Sequence, residues 1–155
     1  MIELQIQPDN YSCVCTCLAM TVGLPVEVVI EAGWHKKYRE EDLSIRHMLE
    51  FYQVPFTEYH TLDRVSLAQI ETGVLWATVP SLNNPQGWHQ ILIEVYNTPE
   101  DILWKIFDPQ TGKPDTGYYT DIEDLVESDE LATLLSGGYI IDAWIPASYF
   151  EDRNK

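Results

Sequence analysis

Three cysteines alternate in the stretch "NYSCVCTCLAM", at Cys13, Cys15 and Cys17, directly after a polar loop. Thiols at this spacing could bind a metal, form a disulfide, fill a core or include a nucleophile. In a helix successive residues turn by about 100°, so Cys13 and Cys17 share a face and Cys15 points nearly opposite. One ion cannot collect all three, and no CxxC pair or neighbouring histidine completes a four-ligand zinc site. Neither a metal nor a cofactor is expected. Three thiols in five residues also make a poor disulfide framework. Free cysteine buries readily as a small hydrophobe, which is the reading for Cys15 and Cys17. Cys13 differs, because it falls in the first helical turn. Backbone N–H groups and the helix dipole there lower a thiol pKa and favour the thiolate nucleophile.

A second chemical pair emerges from strand register. In "HQILIEVY" the residues His89, Ile91, Ile93 and Val95 share one face, and in "ILWKIFD" Ile102, Trp104, Ile106 and Asp108 do. A hairpin with both apolar faces on the core, pairing Val95 with Ile102, leaves the loop "YNTPED" and sets His89 opposite Asp108. A carboxylate beside the ring would fix its tautomer and stabilise its cation. The alternative is a satisfied core histidine beside an aspartate that opens the "DPQTGK" turn. Trp88 is read as an ordinary packing residue, with lining a groove as the other possibility.

The elements that must position these groups follow from patterning. Ser12 or Asn10 can cap a buried, almost wholly apolar helix through about Val22, ended by Gly23. Pro25 can open a second helix through Ala32, and a third spans about Glu41–Gln53 with Ile45, Met48, Leu49 and Tyr52 on one face. Strands are expected at Gly73–Leu82, His89–Tyr96, Ile102–Asp108 and Gly138–Ala147, with a helix over Asp121–Leu135 interrupted near Ser128. Helices first and an antiparallel sheet second give an α+β fold, and residues 1–155 form one domain.

These pieces together resemble the papain-like cysteine peptidases, and within them the bacterial C39 family, the leader-cleaving domains of bacteriocin exporters. The run "QPDNYSCVCTCLAM" matches that family's opening motif at Gln7, Cys13, Leu18 and Met20. "GWHQILIEVY" supplies its histidine, His89, and "KIFDPQTG" its Asp-Pro, Asp108 and Pro109. The chain departs from the pattern at Ser12, where the family has Asp, and at Val14, where it has Gly. The resemblance implies a papain-like fold and a free-standing hydrolase acting on a peptide or protein. Cys13 would attack an amide carbonyl to form a thioester, with His89 as acid and base and Asp108 orienting the ring. The Cys13 N–H and the Gln7 side-chain amide would make the oxyanion hole. A deamidase or transferase could use the same thiol.

Composition narrows the alternatives. With 9 Lys+Arg against 25 Asp+Glu the formal net charge is −16, which opposes a phosphate-binding surface and so argues against nucleic acid. Six carboxylates crowd into Asp121–Glu130, read as a solvated face. No apolar run reaches the ~18 residues of a membrane span, and "MIELQIQPDN" lacks a basic start. A cytoplasmic protein is expected. Two rival classes remain: a papain-like peptide-binding module without activity, and an acidic decoy that occupies a basic partner.

Overall fold

The computed structural model describes residues 1–59, 69–121 and 124–153. It is an α+β architecture. Among the described residues, six strands form one antiparallel sheet in the order β1-β6-β2-β3-β4-β5. Their ranges are β1 Thr57–Glu58, β2 Gly73–Pro80, β3 Trp88–Asn97, β4 Ile102–Phe107, β5 Val126–Glu127 and β6 Ile140–Pro146. The helices are α1 Cys13–Val22, α2 Val26–Glu31, α3 Trp34–Glu40, α4 Ile45–Phe51, α5 Ser128–Leu134 and α6 Ala147–Arg153.

Helix α1 begins at Cys13 and stops at Gly23, whose φ of 77° lets its N–H return to the Ala19 carbonyl. Everything from Val14 to Thr21 is buried. Two threonines survive there because each hydroxyl donates one turn back, Thr16 to Ser12 O and Thr21 to Cys17 O, both at 2.8 Å. Ser12 holds the N-cap position but makes no side-chain cap bond, so the expected cap is absent. Pro25 likewise caps α2 in extended geometry rather than opening it from within.

The sheet is buried on both faces. Val74, Trp76, Leu92, Phe107, Ala143 and Ile145 pack with α1, α2 and α4, while Leu75, Ala77, Ile91, Ile93, Trp104 and Ile106 pack with Leu131 of α5. A bulge opposite Trp76/Ala77 turns β6 over, so Ile141 joins the second core while Ala143 and Ile145 join the first. At Gly73 a methyl group would lie 2.3 Å from Ile145 O and 2.7 Å from Trp144 Nε1. Backbone cannot yield there cheaply. Gly73→Ala should destabilise the fold by about 1–3 kcal/mol, and calorimetry should find Tm lower by roughly 2–4 °C for each of those kcal/mol. An unchanged Tm would refute the close approach.

Several expectations need correction. The hairpin register is displaced by two residues: Val95 pairs with Trp104 and Ile93 with Ile106, not with Ile102 and Trp104. The loop is therefore Thr98–Asp101, closed by Thr98 N–H and Oγ1 on Asp101 O at 2.9 and 2.8 Å. The third expected helix is shorter, Ile45–Phe51, since Ser44 caps it with His47 in a capping box. Of the Asp121–Leu135 helix only Ser128–Leu134 forms, because Val126 pairs with Trp104 in the sheet; positions 122 and 123 lie outside the described residues. Among the described residues no helix is long and apolar enough to cross a membrane.

Candidate active site

The thiol is delivered by the start of α1 and the imidazole by the start of β3. Cys17, one turn beyond Cys13, fixes the two elements together by donating its S–H to Gln90 O at 3.5 Å. That carbonyl belongs to the residue after His89. Cys17 therefore does more than fill space, although it is fully buried, as is Cys15.

His89 is buried, and its Nε2–H donates to Asp108 Oδ1 at 2.6 Å. The two-residue shift preserves this contact, because an even shift leaves each side chain on its face. Asp108 lies just past β4, where the chain leaves the sheet, and reaches the ring diagonally. Two backbone N–H groups complete its shell, Gln110 on Oδ1 at 2.9 Å and Tyr119 on Oδ2 at 2.8 Å. A fully buried carboxylate is stable only with such donors.

The thiol lines the same cleft as the ring. Burial opposes ionisation of Cys13, but a hydrogen bond to His89 and its charge outweigh this, with help from the backbone of Gln90 and Val14. The thiol is held below its ordinary value. Burial would also depress the imidazolium of His89, yet the hydrogen bonds and charges of Asp108 and Cys13 raise its pKa to about 9. Both shifts favour the same thiolate–imidazolium pair. The neighbouring thiols go the other way: burial, then the charge of Cys13, pushes Cys15 up to about 12 and Cys17 well above the ordinary value.

The pair opens on a cleft of about 680 Å³, lined by Cys13, His89, Tyr11, Tyr38, Arg39 and Trp88 among others. Trp88 is 65% exposed on this rim, so it is a cleft residue and not a packed one. Val14, the departure from the resembled motif, also lines the cleft and leaves the helix start intact. Tyr38 and Arg39 come from α3, which sequence patterning passed over, as "WHKKYRE" carries one strongly apolar residue and no periodicity.

Gln7 lies behind the cleft rather than on its wall. It is 2% exposed, and its backbone N–H donates to Pro109 O at 2.8 Å, tying the loop before α1 to the residue after Asp108. One side-chain N–H donates to Asp9 O at 2.7 Å, whereas Oε1 has no partner. Ser12 Oγ is also buried and, among the described residues, has no hydrogen-bond partner. Among the described residues no three His, Cys, Asp or Glu side chains converge as a metal site. A thiol and an imidazole on one open cleft, the imidazole backed by a buried carboxylate, can perform nucleophilic acyl transfer. Compared with known proteins, the chain matches no protein-family model, no curated protein and no solved structure.

Proposed function

We propose that this protein is a papain-like cysteine hydrolase that cleaves a peptide or amide bond through a thioester on Cys13. The observation that supports this reading best is the His89–Asp108 pair at 2.6 Å, with His89 and the half-buried Cys13 thiol lining one open cleft. A core histidine satisfied by a turn aspartate needs neither the thiol nor the cleft. In the proposed reaction the Cys13 thiolate adds to the substrate carbonyl and the imidazolium of His89 protonates the departing amine. His89 then takes a proton from water, which attacks the thioester and releases the acid. The developing oxyanion would meet the backbone N–H of Cys13, while the buried Gln7 ties the loop before α1 to Pro109. A donor of this kind contributes about 3 kcal/mol in other acyl transferases. Peptide segments with large side chains would rest against Trp88 and Tyr11.

The test is direct. Incubation with a mixed peptide pool and rapid acid quenching should yield chain mass increments that map to Cys13, together with cleaved peptides. Both should vanish in Cys13→Ala. If no adduct forms and no peptide is cut across pH 5–9, a binding module of the same fold replaces the enzyme.

A further inference from the structure

We propose that Asn83, in the loop between β2 and β3, is a positioning residue for the Asp108–His89 pair. The inference rests on the functional reading above. Asn83 touches neither group. Its amide makes three hydrogen bonds to the segment that follows Asp108. Oδ1 accepts the Gly117 N–H at 2.6 Å, and Nδ2 donates to Gly117 O at 2.8 Å and to Gln110 Oε1 at 2.9 Å. These two partners bear on the two backbone donors of the Asp108 carboxylate. Gln110, held through its side chain, supplies the backbone N–H on Oδ1, the same oxygen that meets His89. Gly117 lies two residues before Tyr119, which supplies the N–H on Oδ2.

The loop that carries Asn83 is itself braced. Ser81 Oγ accepts the N–H of Asn83 at 3.3 Å and of Asn84 at 3.0 Å, and Ser81 N–H closes on Gly87 O at 3.0 Å. Tyr119 adds a second tie, its hydroxyl donating to Pro80 O at the end of β2. The loop before the histidine thus clamps the loop after the aspartate. A side-chain amide suits this task, since it offers donor and acceptor together in one rigid plane.

Loss of the clamp should loosen the 2.6 Å contact, weaken the imidazolium and return the Cys13 thiol toward ordinary acidity. The test is iodoacetamide labelling of Cys13 as a function of pH in wild type, Asn83→Ala and Gln110→Met, with Tm measured alongside. Gln110→Met keeps the backbone N–H and chain length and removes one acceptor of the clamp, so it serves if Asn83→Ala fails to fold. Labelling at pH 6 should fall roughly tenfold in Asn83→Ala, the lower range for loss of a supporting partner behind a reactive group. A fall in Tm with the labelling profile unchanged would reduce Asn83 to a loop brace and overturn the inference. A wild type whose Cys13 labels like an ordinary thiol would overturn the thiol–imidazole reading itself, and this inference with it.

Discussion

In the His89→Ala protein, Cys13 should label with iodoacetamide at pH 6 at least about tenfold more slowly than in wild type. A thiol of ordinary acidity is under about 1% ionised at that pH, so rapid labelling there reports a depressed pKa. His89 is the main group that depresses it, through both hydrogen bond and charge. The fall is smaller than the change in thiolate fraction, because a more basic thiolate is also the stronger nucleophile. In the proposed reaction the same ring also protonates the leaving amine and activates water, so peptide turnover should fall much further, by about 10⁴-fold or more. Cys15 and Cys17 should stay unreactive in both proteins, each buried and with its pKa raised. Equal labelling of Cys13 in wild type and variant would end the catalytic reading.

Asp108→Asn carries the second large effect. Both carboxylate oxygens accept hydrogen bonds, Oδ1 from His89 and Gln110 and Oδ2 from Tyr119. An amide cannot satisfy this set, because its NH₂ must face at least one N–H. The orphaned donor costs about 1–3 kcal/mol of stability. The ring also loses its hydrogen bond to a carboxylate, the strongest influence raising its pKa to about 9, and with it the Asp108 charge. For catalysis the sign follows from the form required. The proposed reaction needs the imidazolium, so wild-type activity should decline as pH rises through about 9. In Asp108→Asn that decline should move toward neutral pH, and turnover at its optimum should fall by about 10³–10⁴-fold. A pH–rate profile checks both, and an alkaline limb left in place would show that Asp108 does not tune the ring.

The parts legible in the sequence are those marked by local punctuation. Gly23 and Pro25 bound α1 and α2, and alternation in "HQILIEVY" and "ILWKIF" marks β3 and β4. Register was legible only in parity. Apolar faces require an even offset, but whether Val95 meets Ile102 or Trp104 depends on how the Thr98–Asp101 turn closes on itself. Parity was enough to bring His89 and Asp108 together. The elements β1, α3 and α6 were not legible, since β1 has two residues and α3 and α6 bury one residue each, Trp34 and Phe150, leaving no apolar repeat. Tertiary pairing also overrode local preference at Val126, drawn into the sheet where an acidic helix was expected. The cap at Ser12 failed for a related reason: its backbone, at φ −101° and ψ 25°, lies outside capping geometry. The clamp through Asn83 links segments 34 residues apart and leaves no local trace.

The bond from Cys17 to the Gln90 carbonyl has a consequence for motion. Cys17 has no exposed surface, so a thiol reagent reaches it only when α1 lifts from the sheet. Such openings span free energies from near zero up to that of global unfolding. The protein thus carries two chemically identical probes on one helix, a turn apart. Cys13 reads the charge state of the cleft on each encounter, while Cys17 counts the rare excursions in which the helix and the histidine strand come apart.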